Sequence, residues 1–297
     1  MRAFTSAWYT VSLGNHSYPM EKYRLVPERL LAEGVLRGEE LIEPEAASVT
    51  DVLRVHTPEY VQALINGTLE RKALLRLGLP WSEDLVRRAF AVLGGTYGAA
   101  RAALAEGVAA NLAGGTHHAF ADHGEGYCIF NDHVVTLRRL RAEDYARRFL
   151  IVDLDVHQGN GTAVLCRDDE ETFTFSMHSE SNYPARKERS SWDIGLPDGT
   201  TDGQYLEVVA GALPQLLKKF NPEVILYQAG VDVLAGDRFG KLALTMSGVT
   251  ERDRAVCAFA RRAGIPLVVT LGGGYARDID QIVEAHCQTV KIAGQYS

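Results

Sequence analysis

Along most of this chain, short apolar runs alternate with longer amphipathic stretches. The runs lie at 108–112, 149–154, 172–177, 224–227 and 267–271. They are rich in Val, Ile, Leu or Phe and mostly lack strict alternation, which is the pattern of strands buried on both faces. Residues 82–106, 131–141, 205–220, 250–262 and 279–292 read as the intervening helices. The Thr-x-x-Asp at 250–253 reads as a helix start, and Gly264 followed by Pro266 as its end. This alternation predicts an α/β fold with a mainly parallel central sheet and helices on both faces. No linker, low-complexity tract or fixed-period repeat interrupts it, so residues 1–297 are read as one domain.

In an open parallel sheet, ligands bind beyond the carboxyl ends of the strands. The residues that follow each run are therefore informative. Gly114-Gly115-Thr116-His117-His118 follows the first run, and Asp153 through Gly161 spans the end of the second. Ser176, Met177 and His178 end the third, Gly230-Val231-Asp232 follows the fourth, and Gly272-Gly273-Gly274-Tyr275 the fifth. Chemistry-bearing residues thus converge on one edge.

Asp153, Asp155 and His157 alternate along their segment and can share one face, with Leu154 and Val156 on the other. Two buried carboxylates beside an imidazole are costly unless a cation neutralises them. Asp and His suit zinc or iron(II), and Asp232 offers a third ligand, leaving a position open for water and substrate. A metal-free Asp–His hydrogen-bonded strand end is the alternative reading. His117 and His118 sit where a neutral imidazole can accept a proton near pH 7, with Asp153 available to fix a tautomer. Tyr275, after three glycines, is placed to donate to a polarised carbonyl.

Composition narrows the partners. Lys and Arg number 31 against 38 Asp and Glu, a formal charge of −7, which argues against a surface built to condense on nucleic acid or anionic membrane. The four cysteines are single, with no Cys-x-x-Cys pair, and Cys128 is expected to pack at the floor of the site. His16, His56, His123 and His133 lack a second ligand at metal spacing and are expected to be structural or exposed. No secretory signal or membrane-spanning run is apparent, so the expectation is a soluble cytoplasmic protein.

Five segments together resemble the zinc-dependent histone deacetylase family, which includes acetoin-utilisation proteins and acetylpolyamine amidohydrolases. They are Gly-Gly-Thr-His-His (114–118), Gly-Tyr-Cys-Ile-Phe-Asn-Asp (126–132), Asp-Leu-Asp-Val-His-Gln-Gly-Asn-Gly (153–161), Gly-Val-Asp (230–232) and Gly-Gly-Gly-Tyr (272–275). The likeness begins at His-Thr-Pro-Glu-Tyr (56–60), and the Gln-Gly-Asn-Gly ending looks most like the class IV branch.

The resemblance implies an arginase/deacetylase-like fold and removal of an acyl group from a lysine side chain or a polyamine. It implies zinc, or iron(II), held by Asp155, His157 and Asp232. It makes His117 and His118 the paired histidines, with His118 the general base and acid, Asp153 supporting His117, and Tyr275 the carbonyl donor. It also implies K+ or Na+ at Asp153, Asp155, His157, Ser176 and Met177. Gly126, Tyr127, Tyr183 and Gly273 fall on an acyl-lysine tunnel.

Two departures matter. The aspartate that usually partners the second histidine is Asn160, which orients without adding charge. The segment Gly78-Leu79-Pro80-Trp81 lacks the acidic residue with which many lysine deacetylases grip the substrate backbone. Two other classes stay open: an arginase-like ureohydrolase, disfavoured because Gly159 and Asn160 stand where further metal-binding aspartates are needed, and a non-catalytic acyl-lysine binder. Gly272–Gly274 alone makes a weak nucleotide-binding signal, since no Gly-x-Gly-x-x-Gly is present.

Overall fold

The computed structural model describes residues 1–297. Its strands are β1 (Ala3–Phe4), β2 (Leu41–Ile42), β3 (Val108–Asn111), β4 (Phe149–Asp153), β5 (Thr172–Ser179), β6 (Trp192–Leu196), β7 (Val224–Gln228) and β8 (Leu267–Thr270). The helices are α1 (Lys22–Ala32), α2 (Val49–Val52), α3 (Pro58–Ile65), α4 (Arg71–Leu77), α5 (Glu83–Glu106), α6 (Asp132–Ala142), α7 (Asn160–Leu165), α8 (Asp202–Lys219), α9 (Met246–Ala263) and α10 (Ile279–Gly294). One sheet of eight strands forms, in the order β2-β1-β3-β8-β7-β4-β5-β6. Every pairing in it is parallel.

Period-two alternation explains how both faces are covered. Leu150 and Val152 of β4, with Ile225 and Tyr227 of β7, pack on one side in a cluster containing Leu213 of α8, Val256 of α9 and Val283 of α10. Phe149 and Ile151, with Val224 and Leu226, pack on the other side with Ala99 and Ala103 of α5 and Leu137 of α6. A third apolar cluster, including Tyr60, Leu77, Leu85 and Phe130, joins α3 and α4 to α5 and the segment before α6. No helix is long and apolar enough to cross a membrane.

All five expected strands and all five expected helices are present, with ends displaced by a few residues. The start of α9 is a correction. Thr245, not Thr250, caps it by accepting from the Gly248 amide, while Thr250 lies inside and donates back to the Met246 carbonyl at 2.9 Å. A hydroxyl inside a helix finds the carbonyl four residues back, so a Thr-x-x-Asp pattern does not by itself mark an end. Strands β1 and β2 are two residues each and β6 is only partly buried, too little for an apolar pattern to reveal.

The sheet order brings the chemistry together. β7 lies directly beside β4, with Asp153 opposite Gln228, and β5 flanks β4 on its other side, with Asp153 opposite Ser176. β8 pairs with β7, and β3 with β8. The segments following β3, β4, β7 and β8 therefore meet at one edge.

Candidate active site

Asp155, His157 and Asp232 form a buried group whose ligand atoms all lie within 4.8 Å of one another. Nδ1 of His157 sits 3.1 Å from Oδ1 of Asp155 and 3.2 Å from Oδ2 of Asp232. Each carboxylate is held by backbone amides. Asp155 Oδ1 accepts from the His157 amide and Oδ2 from the Gly273 amide, both at 3.0 Å, and Asp232 Oδ1 accepts from the Val156 amide at 3.0 Å. Asp232 Oδ2 is fully buried with no hydrogen-bond partner.

These contacts require glycine at Gly273. A Cβ there would lie 1.9 Å from Asp232 Oδ2 and 2.8 Å from Asp155 Oδ2. Gly273 lines the innermost end of the space, against the carboxylates, because its amide turns toward Asp155.

The charges of this group point to a cation. Burial opposes a charged ring at His157, yet its hydrogen bond to Asp155 and the nearby charges of Asp232 and Asp155 raise it to about 10. Burial and the Asp155 charge push the Asp232 carboxyl above the ordinary carboxylate range. Two buried carboxylates thus compete for a single proton at a point where a dication would satisfy both. Together with the orphaned Asp232 oxygen, the donor set of two carboxylates and one imidazole fits a divalent cation. It is the one group of three His, Cys, Asp or Glu side chains whose ligand atoms all lie this close together.

His117 and His118 stand beside this group, their ring centroids 4.1 Å apart. His117 Nδ1 is 2.7 Å from Asp153 Oδ2, and its Nε2 is 3.9 Å from Asp155 Oδ1. Burial disfavours its charge, but Asp153 and Asp155 raise it to about 9. His118 differs. Burial, with His117 and His157 nearby, holds it well below the ordinary imidazole value, and its Nδ1 lies 2.6 Å from Oδ1 of Asn160. Gly159, ahead of α7, leaves room for the His117–Asp153 pair, since a Cβ there would meet Asp153 Oδ2 at 2.4 Å.

A cavity of about 350 Å³ leads to these groups, lined by His118, Gly126, Tyr127, His157, Tyr183 and Tyr275 among others. Gly126 has φ +53°, and a Cβ on it would strike His118 Cδ2 at 2.7 Å, so glycine alone lets this wall approach the histidine. Tyr275 is fixed by its backbone, its amide donating to Asp237 Oδ2 at 2.6 Å and its carbonyl accepting from Arg238 Nε at 2.7 Å. Burial, with Tyr18, Asp232 and Asp155 nearby, keeps its hydroxyl protonated far above neutral pH. Beyond it, a smaller space of about 30 Å³ is lined by Tyr18, Tyr23, Arg88 and Cys128. Burial pushes the Cys128 thiol up, consistent with a packing role.

The structure brings the remaining expected residues to the same edge. Ser176 lies next to Asp153 in the sheet and bonds through Oγ to His178 Nδ1 at 3.0 Å, and Met177 is fully buried. His56 and His133 are buried and structural. His56 bridges the Phe120 carbonyl and the Asn131 amide, and His133 bonds Thr270. Trp81 turns inward, donating to the Leu64 carbonyl at 2.7 Å, so the mouth is bordered instead by Leu75, Arg76 and Gly78.

Two residues of the site escaped the sequence reading. Gln228 ends β7 and donates to the Gly115 carbonyl at 2.8 Å and to Asp155 Oδ2 at 3.3 Å. A polar residue closing an apolar run was its only signal. Glu125 receives Asn160 Nδ2 at 3.1 Å and the Tyr183 hydroxyl. It immediately precedes the Gly-Tyr-Cys segment, but nothing local shows where its carboxylate turns.

Comparison with known proteins agrees with this architecture. The histone deacetylase domain profile matches residues 16–290. An uncharacterised protein of Picosynechococcus is 46% identical over 271 residues, spanning 91% of this chain and 90% of its own. Histone deacetylase 2 of Arabidopsis thaliana is 32% identical over 288 residues, spanning 94% and 74%. The crystal structure of a histone deacetylase homologue from Aquifex aeolicus superposes with a TM-score of 0.84 at 23% identity, covering 100% of this chain and 84% of that one. The chain therefore belongs to the histone deacetylase family, whose members are deacetylases that hydrolyse amide bonds.

Proposed function

We propose that this protein is a zinc-dependent deacylase acting on the acylated side-chain nitrogen of lysine in peptides or proteins. The buried Asp155–His157–Asp232 group with its orphaned carboxylate oxygen, at the base of a narrow aromatic channel, carries the reading. A divalent ion bound there, zinc or iron(II), supplies a Lewis acid that polarises the acyl carbonyl and acidifies adjacent water. His118, neutral and oriented by Asn160, takes a proton from the attacking water and returns it to the departing amine. Tyr275, protonated and with its backbone pinned, donates to the oxyanion as it forms. His117, tied to Asp153, supports the same water. The strand-end segments Asp153–His157 and Ser176–Met177 are where K+ or Na+ would bind.

The charge of the lining supports the choice of lysine over polyamine. None of the twelve residues lining the channel is acidic, and Arg76 is among them. A polyamine would carry its remaining ammonium groups past Arg76 into a lining that offers no carboxylate of its own, whereas an acyl-lysine side chain is neutral along its length. Leu75, at 71% exposure, and Phe239, at 39%, give the rim an apolar surface suited to flanking peptide. The test compares zinc-loaded and iron(II)-loaded enzyme on acyl-lysine peptides and on acylated polyamines. The expected result is a higher kcat/KM on the peptides, and a preference for the polyamines would overturn the substrate assignment.

A further inference from the structure

We infer that Glu125 selects the tautomer of His118 through the side-chain amide of Asn160, and so acts as a positioning residue for proton transfer. The inference rests on the reading of His118 as the base. Asn160 is buried between the two, with Oδ1 2.6 Å from His118 Nδ1 and Nδ2 3.1 Å from Glu125 Oε1. An amide alone is ambivalent, because a half-turn exchanges its acceptor for its donor at almost no change in shape. A carboxylate removes the ambiguity, since it only accepts.

Glu125 therefore requires Nδ2 on its side and Oδ1 on the histidine's side. His118 must then carry its proton on Nδ1, leaving the Nε2 lone pair free to accept from water. With the amide reversed, Nδ2 would donate to Nδ1, the proton would sit on Nε2, and the ring could not act as a base. His117 needs no such device, because Asp153 contacts it directly at 2.7 Å.

Glu125 is itself held in place. The Tyr183 hydroxyl donates to the same Oε1, His123 Nε2 lies 3.5 Å from Oε2, and the Glu125 amide donates to the Cys128 carbonyl at 3.0 Å. Although partial burial opposes its charge, the hydrogen bonds from His123, Tyr183 and Asn160 lower its pKa, so it stays an acceptor at neutral pH.

The test is a cycle in zinc-loaded enzyme on an acyl-lysine peptide, paired with 15N NMR of the His118 ring. Glu125→Ala should lower kcat by about tenfold or more, within the 10²–10⁴ a general base supplies, with KM and zinc content unchanged. Its ring signals should move from Nδ1–H toward Nε2–H. In an Asn160→Asp background the oxygen facing His118 accepts in either orientation, any proton the pair gains lying between residue 160 and Glu125, so the same Glu125→Ala change should not lower kcat and should leave Nδ1–H in place. Glu125→Gln keeps the packing but not the acceptor-only character, and should show mixed tautomers even if Glu125→Ala folds poorly. Tyr183→Phe should leave Nδ1–H unchanged. An Nδ1–H ring throughout the Glu125 variants, or an equal kcat loss in the Asn160→Asp background, overturns the inference. Failure of the wild-type enzyme to turn over any acyl-lysine peptide would instead overturn the proposed function, while the 15N signals still decide the tautomer.

Discussion

Nδ1 of His157 lies 3.2 Å from Oδ2 of Asp232, an oxygen sealed from solvent and without a hydrogen-bond partner. Such an oxygen costs free energy in a dry interior unless something positive faces it. The amides that hold Asp155 and Asp232 fix their other oxygens, so the vertex between these three side chains is prepared before any ion arrives.

Replacing Asp232 with alanine should remove the metal while the fold persists. Even residues that only support a ligand typically cost 10–100-fold in metal affinity, so loss of a ligand should exceed about 100-fold. Elemental analysis after dialysis should find the variant nearly metal-free, with a far-ultraviolet spectrum like that of the parent. Full occupancy would remove Asp232 from the ligand set.

Tyr275→Phe should retain metal and KM but lose about 10²–10³ in kcat, the scale of one oxyanion donor. Its backbone is anchored by Asp237 and Arg238 and its ring packs against Phe239 at 5.1 Å, so deleting the hydroxyl leaves the placement intact. A change confined to KM would instead place the hydroxyl in ground-state binding.

Gly126→Ala should cost both stability and rate. Its left-handed backbone disfavours alanine by about 1 kcal/mol or more, and its new Cβ would collide with His118. Gly264→Ala separates the two effects, because Gly264 has φ +66° at the end of α9 with nothing within 4 Å of its Cβ position. The expected outcome is a lowered Tm for both variants and a lowered kcat for Gly126→Ala alone. Equal kcat values would show that the wall at Gly126 does not position His118.

What the sequence made legible follows from how local each signal is. Asp153, Asp155 and His157 lie within one segment, and the positions of His118, Asp232 and Tyr275 just past apolar runs marked them as edge residues. Strand pairing then did the rest, setting β7 against β4 so that Asp232 reaches His157. Glu125 and Gln228 were not legible, because each meets its partners across loops far apart in sequence, as in the contact of Glu125 with Asn160. Gly273 was placed at the tunnel by the family pattern, but that its amide donates to Asp155 carries no signal in the sequence. Thr250 misled because a mid-helix threonine and a cap share the same short motif.

Metal affinity should rise with pH. In the metal-free protein the carboxylates of Asp155 and Asp232 raise His157 to about 10, so near neutrality its ring is protonated at the vertex a cation would occupy. That raised value means the proton stabilises the metal-free fold, fully below the ordinary imidazole pKa near 6.5 and not at all once pH has passed about 10. Ligation requires the neutral ring, so each ion must displace this proton. Asp232, whose carboxyl is raised by burial and by Asp155, adds a second competing proton toward acid pH. The apparent Kd for zinc should therefore fall by about tenfold for each pH unit gained between pH 6 and 8, and more steeply at the acid end. Competition against a chelator of known pH dependence measures this, and calorimetry in buffers of different ionisation enthalpy counts the protons released. A Kd independent of pH, with no proton release, would show that the cation does not bind at His157.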